Sequence, residues 1–180
     1  IREELGEDGI FIEELTQVGY ASRQVMPVYK PFTFISTGYQ GTLGWGFPTA
    51  LGVKVAHPDK AVISIAGDGG FMFGIQELAT AVQHRIGLVT VVFNDNAYGN
   101  VKRMQKNAYD NRIIASELIN PDFVKLAESF GAKGLRANTP KELGERIREG
   151  LGENGPTIIE VPVGEMPDID QFKRGSQVRG

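Results

Sequence analysis

Two short acidic motifs each follow an apolar run, and their residue types suit the binding of a metal ion and a phosphate group. Gly67-Asp68-Gly69-Gly70 follows "AVISIA", and Asn94-Asp95-Asn96 follows "LVTVVF". Oxygen ligands favour Mg²⁺ or Ca²⁺, and Mg²⁺ is typically held by one or two carboxylates with phosphate oxygens and water. The glycines beside Asp68 allow backbone N–H groups to approach an anion closely. Together the two motifs predict a metal-bridged diphosphate site.

Other interpretations of these motifs stay open when the residues are taken singly. Asp-Gly pairs are common in purely structural turns, so either motif alone is weak evidence. A dinucleotide fingerprint requires G-x-G-x-x-G, whereas Gly67, Gly69 and Gly74 are spaced G-x-G-x-x-x-x-G. The sequence holds no G-x-x-x-x-G-K-[ST] segment, so a P-loop is excluded. The metal-diphosphate interpretation is therefore favoured over a nicotinamide dinucleotide.

Alternating strands and helices are expected to position both motifs. Strands are predicted at 10–14, 32–37, 61–67, 88–94 and 156–163, and helices at 17–25, 47–56, 74–85, 121–131 and 139–151. The runs 61–67 and 88–94 are almost continuously apolar, which is typical of strands buried on both faces. The alternation predicts a doubly wound α/β domain, with a mainly parallel sheet and helices on both faces. Ligands of such sheets bind beyond the carboxyl ends of the strands, where both motifs lie.

Composition narrows the class of protein and its partners. The chain has 180 residues, a net charge of −3 and no basic block, which argues against nucleic acid as a partner. It has no cysteine, so disulfides and thiolate zinc sites are excluded. No stretch approaches the roughly 20 apolar residues that span a bilayer, which argues against a membrane segment. A cytoplasmic location fits this composition.

The ends of the chain give two further expectations. The opening "IREELGEDG" begins without Met and is typical of the end of a helix, so we expect residues 1–180 to be a single domain of a larger enzyme. The polar residues 165–180 are expected to form a loosely ordered tail. No repeat or linker divides the chain.

Longer segments around the motifs resemble a known enzyme family. The segment "GDGGFMFGIQELATAVQ…VVFNDNAYGNV" is similar to the thiamine diphosphate-binding motif. The segments "STGYQGTLGWGFPTALGVKVAHPDK" and "PDFVKLAESFGAKGLRANTPKELGERIREGL…GPTIIEVPV" extend the likeness over nearly the whole chain. The chain thus resembles the carboxyl-terminal thiamine diphosphate-binding domain of the acetolactate synthase, pyruvate oxidase and 2-oxo acid decarboxylase family. The resemblance implies a lyase or transferase that decarboxylates or joins 2-oxo acids with thiamine diphosphate and Mg²⁺.

The resemblance also implies a role for individual residues. Asp68 and Asp95 would ligate Mg²⁺ through side chains and Ala97 through its backbone carbonyl, while Asn94 supports the turn. Leu43 would lie beneath the thiazolium ring. The Gly41 carbonyl would accept a hydrogen bond from the pyrimidine amino group. The remaining implied cofactor contacts are made by Thr42, Gly67, Gly69, Gly70 and Tyr98, and more loosely by the segment 18–21.

Other polar and aromatic residues are given smaller roles. His57 and His84 fall near helix ends and are not expected to be catalytic. Trp45 is expected to pack in the core or at an interface. Tyr98 and Lys102 follow the second motif, so they are candidates to face a substrate channel.

Two departures from the family pattern shape the functional expectation. Asp95 stands where many relatives have Asn, which predicts a marked dependence on Mg²⁺. No segment resembles the domain that carries the family's catalytic glutamate, so by the resemblance the chain alone would be inactive. It would need a glutamate-bearing, pyrimidine-binding domain or subunit and would form at least a homodimer, with FAD confined to a middle domain outside this sequence. The alternative is a non-catalytic or separately encoded subunit domain serving assembly or regulation.

Overall fold

Six parallel strands form a single sheet in the computed structural model, which describes residues 1–167. The strand order is β2-β1-β3-β4-β6-β5, and every neighbouring pair is parallel. The strands are β1 (Ile10–Ile12), β2 (Phe34–Ile35), β3 (Val62–Gly67), β4 (Val89–Asn94), β5 (Lys133–Arg136) and β6 (Thr157–Pro162). The predicted α/β class and parallel sheet are confirmed.

Helices connect these strands. They are α1 (Arg2–Leu5), α2 (Gln17–Val25), α3 (Gly46–Ala56), α4 (Asp68–Phe71), α5 (Leu78–Gln83), α6 (Gly99–Ala108), α7 (Phe123–Ser129) and α8 (Pro140–Leu151). Side chains cap two helix starts, since Asp122 accepts hydrogen bonds at the start of α7 and Thr139 does so at the start of α8. None of the helices in residues 1–167 is long and apolar enough to cross a membrane.

Apolar side chains on both faces of the sheet form two cores. One core contains Phe47 of α3, Phe71 of α4 and Phe123 of α7, whose rings contact one another at centroid distances of 5.4 and 5.9 Å. The other contains Leu5 and Ile147 from α1 and α8. Alternate residues of the buried strands contribute to opposite cores, because side chains alternate across a sheet. The expected helices on both faces are therefore present.

Several boundaries differ from the sequence predictions. β1 and β2 are shorter than 10–14 and 32–37, and Phe32 adopts a positive φ of 60° that interrupts the second run. The predicted helix 74–85 is a 3₁₀ turn (Ile75–Glu77) followed by α5. The prediction also lacked β5, α6 and α4. β5 is a polar edge strand, α6 has a mostly polar sequence, and α4 begins within a glycine run that disfavours helices.

The register of the two central strands places the acidic motifs at one edge. Gly67 of β3 is paired with Phe93 of β4, so the next residues of both strands leave the sheet side by side. β1 is the other neighbour of β3, and it brings the segment after Ile12 to the same edge. Residues 168–180 of the predicted tail lie outside the described part of the chain.

Candidate cofactor site

A cavity of about 190 Å³ lies at the carboxyl edge of β3 and β4. Eight of the ten predicted site residues line it, namely Leu43, Gly67, Asp68, Gly69, Gly70, Asp95, Ala97 and Tyr98. Gly41 and Thr42 are not among its lining residues and instead precede Leu43 in the same turn. From the loosely expected segment 18–21, Tyr20 lines the cavity. The fold therefore brings most of the predicted residues to one place.

Asp68 is the first residue of α4 and is almost fully buried, with 2% of its surface exposed. Its Oδ1 accepts a hydrogen bond from the Gly69 N–H at 2.9 Å, and its Oδ2 accepts one from Asn120 Nδ2 at 2.6 Å. Burial raises the pKa of Asp68, and these hydrogen bonds oppose the rise. The carboxylate is thus fixed in orientation by the protein itself.

The second acidic motif forms a tight turn at the end of β4. Asn96 has a φ of 54°, and the Asn94 and Asp95 side chains accept hydrogen bonds from the backbone N–H groups of Asn96 and Ala97. Burial and the nearby charge of Asp68 raise the pKa of Asp95 to about 6. Gly99 permits this arrangement, because a Cβ there would lie 2.6 Å from Asp95 Oδ2. A carboxylate whose pKa is raised by a neighbouring carboxylate is in a position that a shared cation would stabilise.

Two backbone hydrogen bonds fix the turn at the edge of the cavity. The Asn96 carbonyl accepts from the Leu118 N–H at 2.8 Å, and Tyr98 N–H donates to the Ser116 carbonyl at 2.9 Å. Within residues 1–167 no hydrogen bond reaches the carbonyl of Ala97, which lies between these two contacts. Two carboxylates and one free carbonyl fit the oxygen ligands of Mg²⁺. The described residues contain no group of three or more acidic or histidine side chains that could hold a metal ion.

A polar network behind the turn at residues 94–96 was missed by the sequence prediction. Asn120 Nδ2 contacts both Asp68 and Asn94 Oδ1, the latter at 3.0 Å. Asn94 Nδ2 donates to Glu160 Oε1 at 2.8 Å, and Arg136 donates to Glu160 Oε2 at 2.8 and 3.1 Å. The one feature of the sequence that could have indicated this network is Glu160, a lone acid within the apolar run "PTIIEVPV". A buried charge in such a strand requires a partner.

Glu14 is a second buried acid that the sequence prediction treated only as part of a strand. It lies just beyond β1 with 0% of its surface exposed, and its Oε1 accepts from the Gly44 N–H at 2.5 Å. Its Oε2 has no hydrogen-bond partner among the described residues. Burial raises the pKa of Glu14 to about 7; the Gly44 and Gly46 N–H groups oppose that rise, and the charge of Glu13 adds to it.

Close packing explains two of the small residues in the site. A Cβ at Gly69 would overlap the ring of Tyr98. A Cβ at Gly70 would lie 2.6 Å from Glu14 Oε1 and 3.6 Å from Leu43 Cδ2. Backbone N–H groups can therefore reach the cavity without side-chain obstruction.

The remaining candidates lie elsewhere or are already engaged. His57 and His84 follow α3 and α5, and neither lines the cavity. Trp45 packs partly buried against the Phe47 core. Lys102 lines a neighbouring cavity, where it donates to Glu117 at 2.9 Å.

This fold and site define a cofactor-binding α/β domain, with its ligand pocket at the carboxyl edge of a parallel sheet. Residues 15–161 match the family described as "Thiamine pyrophosphate enzyme, C-terminal TPP binding domain", and the chain belongs to this family. The resemblance inferred from the motifs is confirmed.

Individual proteins agree with the family assignment. The chain is 42% identical over 142 residues to acetolactate synthase of Bacillus subtilis, covering 79% of the chain and 25% of that protein. It is 40% identical over 148 residues to the mitochondrial acetolactate synthase catalytic subunit of Saccharomyces cerevisiae, covering 82% and 22%. The chain thus spans about a quarter of the length of these relatives.

Solved structures of related enzymes share the fold. A thiamine diphosphate-dependent 4-hydroxybenzoylformate decarboxylase of Rhodococcus jostii RHA1 matches with a TM-score of 0.84 and 29% identity, covering 93% of the chain and 32% of that protein. Benzoylformate decarboxylase of Polynucleobacter necessarius matches with a TM-score of 0.82 and 27% identity, covering 92% and 32%. The six-stranded arrangement is therefore that of thiamine diphosphate-dependent enzymes.

Proposed function

We propose that this chain binds the diphosphate end of thiamine diphosphate through Mg²⁺, as part of an acetolactate synthase-like enzyme acting on 2-oxo acids. One observation carries the proposal: one cavity is lined by Asp68 with its buried carboxylate, by the half-buried Asp95, and by Ala97, whose carbonyl accepts no hydrogen bond within residues 1–167. The family to which the chain belongs and the acetolactate synthases among its relatives support the same cofactor and substrate class. Decarboxylation and carboligation are both included in this proposal.

The protein's contribution would be to bind and orient the cofactor. Asp68, Asp95 and Ala97 would hold the metal, and the N–H groups around Gly69 and Gly70 would receive the diphosphate. Leu43 would support the thiazolium ring from below, which is a positioning effect. Thiamine diphosphate, when bound, supplies the nucleophilic carbon that makes or breaks a bond next to a 2-oxo carbonyl.

Exposed apolar side chains support the proposal of a partner domain. Tyr39 and Ile119 are fully exposed, and Phe73 is 58% exposed. They flank the site, because Tyr39 precedes the Gly41 turn, Phe73 lies against Gly44, and Ile119 precedes Asn120. Exposed apolar groups around a pocket commonly mark an interaction surface. We propose that a glutamate-bearing, pyrimidine-binding domain or subunit covers them, within at least a homodimer located in the cytoplasm.

Calorimetric titration of thiamine diphosphate into the full chain tests the proposal. One titration contains Mg²⁺ and the other contains a chelator, and both are repeated with the variant Asp68→Asn. Heat that requires both Mg²⁺ and Asp68 supports the proposed site. Equal binding with chelator would overturn the metal role. No binding at millimolar cofactor would favour the alternative of a non-catalytic or separately encoded subunit domain.

A further inference from the structure

Glu14 differs from the other buried glutamates in its contacts. Glu13 is paired with Arg23, and Glu160 is paired with Arg136. Glu14, by contrast, forms no ion pair among the described residues, and one of its oxygens has no hydrogen-bond donor. A buried carboxyl group without a cation is costly to the fold. Such a group is retained more readily at a site where it has a function.

Three glycines surround the Glu14 carboxyl group. Its Oε1 accepts from Gly44, a Cβ at Gly46 would lie 2.8 Å from its Oε2, and a Cβ at Gly70 would lie 2.6 Å from its Oε1. Gly44 ends the turn that carries Leu43, and Gly70 belongs to the predicted diphosphate-binding run. The carboxyl group therefore contacts both halves of the cofactor cavity.

The turn from Gly41 to Gly44 needs an anchor. Gly41 has a φ of 59° and Gly44 a φ of 78°, so both ends of the turn adopt the left-handed conformation that glycine enters easily. A segment with two such glycines has wide freedom when it is not held. Among residues 1–167, the Gly44 N–H donates a hydrogen bond to Glu14 and to no other group. This hydrogen bond is the polar contact that fixes the turn.

We propose that Glu14 is a positioning residue, whose carboxyl group holds the turn from Gly41 to Gly44 against Gly70 and so sets the height of Leu43 in the cofactor cavity. The inference rests on the proposed function, since it concerns the same cavity. Glu14 acts here through the length of its side chain, which brings the carboxyl group to the Gly44 N–H. It touches the turn, and the turn places the Leu43 side chain and the Gly41 carbonyl.

Two conservative variants separate reach from charge. Glu14→Gln keeps an oxygen at the same distance from the Gly44 N–H, whereas Glu14→Asp keeps the charge and withdraws it by one methylene. We expect Glu14→Gln to bind thiamine diphosphate with Mg²⁺ within about threefold of the wild type. Glu14→Asp leaves the part-buried Gly44 N–H unsatisfied, which corresponds to roughly a 10-fold loss of affinity. The opposite ranking would overturn the proposal.

A double-mutant cycle tests whether the effect passes through Leu43. If it does, Glu14→Asp combined with Leu43→Ala binds the cofactor no more than about threefold more weakly than Leu43→Ala alone, because coupled residues are not additive. If Glu14 only stabilises the fold, the two losses multiply and the proposal fails. Glu13→Gln is the matched control, since it changes a buried glutamate one residue away and should leave affinity unaltered.

The wild-type titration separates this inference from the proposed function. Calorimetry with thiamine diphosphate and Mg²⁺ is performed on the full chain and on each variant, and circular dichroism confirms that each variant is folded. Absence of binding by the wild type overturns the proposed function and the inference with it. Binding by the wild type that is unchanged in Glu14→Asp overturns the inference alone.

Discussion

The two sides of the cofactor cavity are built in different ways. On the side proposed to bind Mg²⁺, called the metal side here, Asp68 is held by Asn120, Asn94 is held by Glu160, and Glu160 is held by Arg136. On the glycine side, the turn that carries Leu43 depends on the single carboxyl group of Glu14. The metal side is a connected network that ends at the Arg136 guanidinium. The glycine side is a single hydrogen bond, and Glu14 has no cationic partner among the described residues.

The difference shows that a metal site and a turn beneath an organic ring need different degrees of rigidity. A metal site requires ligand oxygens in fixed directions, and a network of side chains provides this even before the ion arrives. A turn beneath an organic ring requires only that one apolar side chain stand at the right height. One hydrogen bond to a backbone N–H suffices for that, although it leaves a buried acid with a raised pKa.

The largest effect is expected from a change on the metal side. Asp68→Asn removes the charge of a buried, proposed ligand and should weaken Mg²⁺-dependent binding of thiamine diphosphate by at least about 100-fold, because loss of a supporting partner alone costs roughly 10-fold to 100-fold. Calorimetry at saturating Mg²⁺ measures this. A loss below tenfold would show that the network does not organise a metal site.

The glycine side should instead appear in stability and its dependence on pH. The pKa of Glu14 is raised from 4.5 to about 7, so the folded protein favours the protonated form. The resulting stabilisation is complete below pH 4.5 and is lost as the pH rises through 7. Glu14→Gln removes this dependence, so at pH 8 it should unfold with a free energy about 2 kcal/mol higher than the wild type.

Urea unfolding of the wild type and Glu14→Gln at pH 5 and pH 8 measures that difference. The gap between the two proteins should widen from pH 5 to pH 8. Glu128→Gln, at an exposed position of α7, serves as the control. A constant gap between the two pH values would contradict the titration of Glu14.

A moderate effect is expected when the metal side loses one supporting contact. Asn120→Ala removes the donor to Asp68 Oδ2 and to Asn94, and should weaken Mg²⁺ binding by about 10-fold. Titration of the full chain with Mg²⁺ alone measures this without reference to catalysis. Asn138→Ala, at an exposed position before α8, is the matched control. Equal affinities in the two variants would show that the contacts of Asn120 do not support Mg²⁺ binding.

The smallest effect is expected from Asp95→Asn. The amide keeps an oxygen and removes the charge of Asp95, whose pKa is raised first by burial and then by repulsion from Asp68. Relief of this repulsion should offset part of the lost attraction, so affinity for Mg²⁺ should fall by less than about 10-fold. Cofactor titrations over a range of Mg²⁺ concentrations measure this. A loss as large as that of Asp68→Asn would show that the two carboxylates are equivalent.

The sequence predicts the strand edge and the acidic motifs because both are local signals. Buried apolar runs and the residues that end them lie within a few positions of each other. The contacts of Asn120 and Glu160 were not predicted from the sequence, because they join residues 52 and 66 positions apart. Such pairs depend on how helices and strands stack, which no local pattern encodes.

The same reasoning applies to the missed elements. β5 has the polar sequence "KGLR" and, within residues 1–167, pairs with β6 alone, so it lacks the apolar run of a central strand. α4 begins within glycines and is stabilised by the buried Phe71 rather than by helix propensity. In both cases tertiary packing overrides a weak local preference.

The pairing of Gly67 with Phe93 also restricts how this sequence can change in length during evolution. A residue inserted into β3 or β4 would turn every following side chain to the opposite face and separate Asp68 from Asp95. The connection between the two strands, residues 68–88, has no such constraint where it crosses the surface. Descendants of this chain can therefore gain or lose residues around His84, while the length of each strand stays fixed.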